Sequence, residues 1–278
     1  MKLATVKELQ NKSLELRKNT LQMIHDAKTG HTGSDLSCAD ILTVLYYRVL
    51  NNHPDNPKDP DRDRYVQSKG HAVEILWNIL ADQGYFDKSE LTTFSQYGSR
   101  LIGHPNNKVP GIEMNTGSLG HGLSVAVGMA IAAKLDKKSY QTYVLMGDGE
   151  LAEGSVWEGA MAAAHYKLDN LTAIIDRNKL QITGKQKDVM NIEPLAEKWQ
   201  SFGWEVVEVK GNDIAELLEA FNLEHPDKPK VIIAHTTKGN GVSFMADRAN
   251  WHHKVPSEEE LQQAFEELDL QMEELRHE

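Results

Sequence analysis

From Leu3 to about His25, the apolar residues Val6, Leu9, Leu16 and Met23 recur at near-helical spacing among lysines and glutamates, which predicts an amphipathic helix. The stretch Ala27–Ser34, AKTGHTGS, interrupts that pattern as a loop. Ser34 or Asp35 is then placed to cap a following helix through Leu36, Ile41, Leu42, Leu45 and Tyr46. Pro54, Pro57 and Pro60 forbid its continuation, because each lacks a donor and disfavours helix at the preceding residue. RYVQS reads as a strand feeding KGHA and a helix that stops at Gly84. Gly, Pro and Asn dominate Gly98–Gly122, and the small-residue run LSVAVGMAIAAKL predicts a buried, closely packed helix.

Beyond it, TYVLM, LTAII, EVVEV and KVIIA alternate with helical patterns at Ser155–Tyr166, Pro194–Phe202 and Asp213–Phe221. Strand and helix in alternation imply an α/β fold: a mostly parallel sheet with helices on both faces and right-handed crossovers. Leu261, Phe265, Leu268, Met272 and Leu275 form an apolar seam along one face of a final helix. The seam packs either on its own domain or on another polypeptide. The expected organisation is a domain over residues 1–256 and an acidic amphipathic C-terminal helix over 257–278.

Composition narrows the function classes. With 40% hydrophobic and 26% charged residues the chain is ordinary globular material. A single cysteine, Cys38, excludes an intrachain disulfide framework and a cysteine-based zinc site. No wholly apolar run approaches the roughly 18–20 residues of a membrane span, and MKLATVKELQ is too charged for a secretory signal, so a cytoplasmic location without membrane contact is expected. The net charge of −11 argues against a nucleic-acid partner, which would need lysines and arginines at its phosphates. Most of that charge is local, since nine acids against Arg276 give Ser257–Glu278 a net −8.

The chemistry concentrates in Val144–Leu180. One strand ends in Gly147-Asp148-Gly149 and the next in Asp176-Arg177-Asn178. Loops at the carboxyl ends of parallel strands form the ligand crevice of an open sheet, so Asp148 and Asn178 can share a ligand. A carboxylate, an amide oxygen and a backbone carbonyl just beyond Asn178 are hard donors suited to Mg²⁺ or Ca²⁺. A rival reading uses the same letters: Gly147-x-Gly149-x-x-Ala152 matches the relaxed dinucleotide fingerprint, with Asp176 where a ribose-binding acid stands. Against it, Asp148, Glu150 and Glu153 crowd a bare diphosphate with like charge, which a bridging divalent ion would offset. In a third reading Asp148 caps a helix and the glycines make a tight turn. Spacing alone leaves all three open.

The run GDGELAEGSVWEGAMAAAHYKLDN, followed by Asn178, resembles the GDG-to-Asn signature of thiamine diphosphate enzymes, and in detail that of transketolases. Four further segments agree in order: Gly30–Ser37, Ser68–Ala72, Gly103–Pro105 with Asn115–Ser124, and TTKGNG with NWHHK (Thr236–Lys254). The resemblance implies that Asp148, Asn178 and the carbonyl of Leu180 hold a metal, Mg²⁺ or Ca²⁺, that anchors thiamine diphosphate. It implies that His71 and Lys238 lie near the cofactor phosphates, that Gly117, Ser118, Leu119 and Gly149 line the cofactor's path, and that Ser34 touches it. Glu153 corresponds to an acid in a buried carboxylate network linking the two cofactors of a dimer. His31, His104 and His252 correspond to histidines around the reactive carbon, His252 also touching the cofactor. These residue types suit the reaction, because cleaving a ketose beside its carbonyl needs an electron sink, and imidazoles move protons near neutral pH.

Transketolases of the usual length carry two further domains, which supply the cofactor-activating glutamate and most arginines that grip the sugar phosphate. The sequence resembles only the diphosphate-binding half. The expectation is therefore the N-terminal subunit of a two-component transketolase of the pentose phosphate type. It would transfer a two-carbon ketol unit from a ketose phosphate to an aldose phosphate, and be active only with a separate C-terminal subunit, as α₂β₂. Three residues depart from the pattern: His253 where glycine is common, His121 where glutamine is common, and Glu74 where relatives carry a small or apolar residue. His252 rather than His253 is taken as the functional imidazole. The departures bear on donor specificity, and a transketolase for a modified sugar, such as a sulfonated one, would look much the same in this half. The competing functions are a non-catalytic binding subunit of the same fold, or a nucleotide-dependent oxidoreductase.

Overall fold

The computed structural model describes Leu3, residues 5–182 and residues 184–277. Its centre is a five-stranded sheet of β1 (Arg64–Gln67), β2 (Thr142–Gly147), β3 (Leu171–Asp176), β6 (Glu205–Lys210) and β7 (Lys230–His235), in the order β1-β2-β3-β7-β6 and parallel throughout. A short antiparallel pair that the hydrophobic pattern does not signal, β4 (Leu180–Gln181) and β5 (Gly184–Lys185), follows β3. The helices are α1 (Val6–Ala27), α2 (Thr32–Val44), α3 (Glu74–Gln83), α4 (His121–Leu135), α5 (Gly154–His165), α6 (Gln186–Val189), α7 (Leu195–Ser201), α8 (Ile214–Asn222) and α9 (Glu258–His277).

Strand side chains alternate between two apolar layers, as the period-2 geometry of a strand requires. Tyr143 and Leu145 join Ile174 and Ile232 against α1, α2, α3 and α8. Val144 and Met146 join Ala173, Ile175, Val231 and Ile233 against α4, α5 and α7. Both faces are thus covered, the condition under which parallel strands become continuous apolar runs. β6, at the edge, keeps a mixed EVVEV pattern and is only half-buried.

One boundary differs from expectation. α2 begins at Thr32 with His31 as its N-cap, so Ser34 and Asp35 lie in its first turn, wholly buried, and neither caps it. The acidic seam of α9 packs on its own chain: Leu261, Ala264 and Leu268 are buried with Leu14 and Leu21 of α1, Met245 and Trp251. Phe265, Met272 and Leu275 lie partly buried on the same cluster, and Lys18 Nζ reaches Asp269 at 2.6 Å. Each buried leucine stabilises the contact by about 1.5–3 kcal/mol.

The register decides where the loops go. Gly147 pairs with Asp176, and Asp176 with Ala234, so β2, β3 and β7 end side by side. The loops that follow all emerge at one edge, beside the N-terminus of α2. No helix among the described residues is long and apolar enough to cross a membrane.

Candidate active site

At that edge lies a cavity of about 400 Å³. Its floor is the β2, β3 and β7 loops, with Asp148, Gly149, Asn178, Leu180 and Lys238; its rim carries His31, His71, His104, His252 and His253. Ser34, Gly117, Leu119 and Glu153 also line it. Of the residues the sequence singles out for the site, Ser118 alone is not in the lining: it is exposed, with its hydroxyl 3.4 Å from His121 Nδ1.

The floor is tightly wired. Asp148, 1% exposed, accepts from the Gly149 amide at 2.8 Å, the Lys179 amide at 2.6 Å and the Arg177 guanidinium at 2.8 Å. The second arm of Arg177 reaches Glu193 at 2.6 Å. Burial, with Asp176 nearby, raises the Asp148 carboxyl despite Arg177 and the Lys179 amide. Asn178 Oδ1 accepts from the Leu180 amide at 3.1 Å, which turns the chain so that Asp148, Asn178 and Leu180 border the same space.

Beneath them, Asp176 is fully buried and bonded to Lys69 and Thr236, with Ser37 Oγ at 2.5 Å. Burial alone would raise its pKa, but Lys69 and these donors hold it below the usual carboxylate range. Lys69 in turn is held charged by Asp176 against its own burial, and it also donates to the Ser34 carbonyl at 3.1 Å. With these partners in place, Asp176 does not reach out as a ribose acceptor, which removes a leg of the dinucleotide reading. Glu150 is likewise turned inward, 2% exposed, accepting from Ser68 and from the amides of Gly120 at 2.8 Å and Gly147 at 3.1 Å. These donors make it a strut, and it also lines the cavity beside Asp148 and Glu153. Glu153 is exposed and makes no carboxylate network with the described residues of this chain.

The rim is wired loosely. His31 lies 5.3 Å from His71, 6.3 Å from His104, 5.8 Å from His252 and 4.5 Å from His253, ring centre to ring centre. Lys238 Nζ sits 2.7 Å from His252 Nδ1. Burial lowers the lysine to about 8, and burial with the adjoining Lys238 lowers His252 to about 3. Burial also lowers His31, His71, His104 and His253, so the rim is a set of neutral imidazoles at neutral pH. Gly117 adopts a φ of +132°, and a Cβ there would stand 2.6 Å from His104 Cδ2; only glycine lets the loop pass the ring.

The cavity suits an anionic, metal-linked cofactor. Its floor offers hard oxygens, among them a carboxylate whose burial a divalent cation would relieve. Two buried wall atoms, Gln181 Oε1 and His31 Nδ1, have no hydrogen-bond partner among the described residues. Lys69 and Arg177 are residues of the site's wiring to which the sequence reading gives no role. Each sits inside a motif, SKGHA or DRN, and that adjacency is the available signal.

The family profile described as "Transketolase, thiamine diphosphate binding domain" matches residues 10–275. The chain is 49% identical over 275 residues to a protein of Phocaeicola vulgatus named as a subunit of apulose-4-phosphate transketolase, covering 98% of both. It is 40% identical to a 6-deoxy-6-sulfo-D-fructose transketolase subunit of a Clostridium species, covering 94% of this chain and 96% of that one. Among solved structures, transketolase from Campylobacter jejuni superposes with a TM-score of 0.84 at 31% identity, covering 99% of this chain and 48% of that one. The chain therefore spans about half the length of that solved relative.

Proposed function

This chain belongs to the transketolase family of thiamine diphosphate-binding domains, and we propose that it is the diphosphate-binding subunit of a two-component transketolase. With a separate C-terminal subunit, as α₂β₂ in the cytoplasm, it moves a two-carbon ketol unit from a ketose phosphate to an aldose phosphate, in sugar metabolism of the pentose phosphate kind. One observation carries the reading: Asp148, Asn178, Leu180, Lys238 and the imidazoles His31, His71, His104 and His252 border one cavity.

Thiamine diphosphate, when bound, supplies the electron sink that lets a bond beside a ketose carbonyl break. Asp148, Asn178 and the Leu180 carbonyl would hold the Mg²⁺ or Ca²⁺ that ties down its diphosphate, with Lys238 and His71 adding donors to the phosphate oxygens. Ser34, Gly117, Leu119 and Gly149 shape the channel. His31, His104 and His252, neutral at pH 7, accept a hydroxyl proton of the donor and donate to its oxygens. Glu153, exposed here, is where a second copy's cofactor site would couple.

The test is reconstitution. The chain, its C-terminal companion, thiamine diphosphate and Mg²⁺ together should transfer ketol units, and neither polypeptide alone should; full activity of this chain by itself refutes the split site.

A second reading concerns the donor. Identity of 49% over nearly the whole of a relative named for apulose-4-phosphate favours a modified ketose phosphate. A donor screen that includes apulose 4-phosphate, sulfofructose and xylulose 5-phosphate decides it.

A further inference from the structure

Behind the rim lies a pair of acids that the mechanism above does not use. Asp35, in the first turn of α2, and Glu74, the first residue of α3, are both 0% exposed. Asp35 Oδ1 accepts from the Ile75 amide at 3.1 Å, while Asp35 Oδ2 and both Glu74 oxygens have no donor in hydrogen-bond geometry among the described residues. Two carboxylates buried against each other cannot both ionise, so the pair retains a proton between them. Burial and the neighbouring Glu74 raise Asp35 strongly. Burial raises Glu74 too. The pair therefore holds one proton and one negative charge between its two carboxylates.

Glu74 is the member of the pair that faces His31. Glu74 Oε1 lies 4.0 Å from His31 Nδ1, which is itself buried and has no hydrogen-bond partner among the described residues. The approach is built into the backbone: Gly30 has a φ of +155°, and a Cβ there would stand 3.0 Å from Glu74 Oε1 and 2.6 Å from Ile24 Cγ1. The other charges near His31 are Lys69 and Lys238, which oppose its protonation, and Asp35, which favours it.

We propose that Glu74, with Asp35 behind it, is a positioning residue that takes the Nδ1–H of His31 and so presents His31 Nε2 to the cavity as a proton acceptor. At 4.0 Å the two atoms are beyond hydrogen-bond reach, so the contact has to shorten for Glu74 to take the proton. The donor's O–H bond then breaks as an Nε2–H bond forms, and the Glu74 carboxylate stabilises the imidazolium until the proton returns to the acceptor's oxygen. As a catalytic statement this rests on the transketolase reading; as a statement about the His31 tautomer it does not.

The experiment therefore has two arms, on Glu74→Gln, which keeps the shape, and Glu74→Met, which removes the acceptor. In the full-length chain, long-range ¹H–¹⁵N spectra, with His31→Gln to assign the signal, should show the Nδ1–H form of His31. Glu74→Met should shift it toward Nε2–H, and Glu74→Gln should lower the imidazole's proton affinity about tenfold. In the reconstituted enzyme, both variants should lose about 10- to 100-fold in kcat with KM and coenzyme affinity within about twofold, and Glu74→Asp should recover part of the loss. A tautomer and titration unchanged in folded Glu74→Gln overturns the proposal, as does a loss confined to coenzyme affinity. If Glu74→Met does not fold, Glu74→Gln carries both arms. A wild-type assembly that transfers no ketol unit refutes the transketolase reading, and the spectra still decide the acid pair.

Discussion

The floor and the rim of the cavity are built on opposite principles. In the floor, Asp148, Asp176, Glu150 and Lys69 already have partners: a guanidinium, an ammonium, hydroxyls or backbone amides. Around the rim, His31 Nδ1 has no hydrogen-bond partner among the described residues, and His104 and His253 are held by ring packing more than by hydrogen bonds. Burial penalises charge in both, but the floor answers with opposite charge and the rim by staying neutral. A wired floor can receive a fixed, strongly charged group with little rearrangement, whereas unpartnered imidazoles are free to make and break bonds to a changing one.

The contrast is broken most directly at Lys69. Lys69→Met leaves Asp176 buried without its cation and should cost about 3–5 kcal/mol of stability in urea denaturation; a loss as small as that of a surface substitution would mean that the floor is not wired as described. Asp148→Ala removes the floor's carboxylate toward a metal. Thiamine diphosphate binding in Mg²⁺, followed by calorimetry, should weaken about 100-fold, equal to about 2.7 kcal/mol.

The pH dependence separates the two regions by sign. His252 falls to about 3 in the folded chain, below its ordinary value of 6.5. An unfolded chain then takes up the proton first as pH falls below 6.5, so His252 destabilises the fold progressively below that value and contributes nothing above it. His252→Asn should flatten the decline of the melting temperature between about pH 6.5 and 5. Asp176, whose folded pKa is lowered, acts differently: its stabilisation is complete above the ordinary aspartate range and vanishes only as pH falls through its folded value. The smallest effect is expected at His253→Gly. Surface changes of this kind move stability by about 0.5 kcal/mol or less, and its consequence should appear as an altered preference among donor ketoses.

Much of the fold can be read in the letters because strands and helices announce themselves by period. TYVLM, LTAII and KVIIA match β2, β3 and β7 within a residue or two. The α2 boundary escapes that reading because Ser34 and Asp35 are good caps by type, yet Asp35 directs its carboxylate to the Ile75 amide and Glu74 across the fold. The hairpin β4–β5 escapes it because two-residue strands have no period to detect. Most expected site residues do meet at the cavity, because the motifs that hold them sit at strand ends or helix starts. Ser118 does not, because its loop turns it to solvent.

From the linear order of residues came the α/β alternation, the metal-type donor set of Asp148 and Asn178, and the family resemblance, since each depends on neighbours or on fixed spacing along the chain. What the tertiary structure decided was partnership. It alone tied Glu150 to Ser68 and Asp176 to Lys69, and brought Glu74 to His31. A side chain's charge state and direction depend on desolvation and on groups scores of residues away, and no local pattern encodes those.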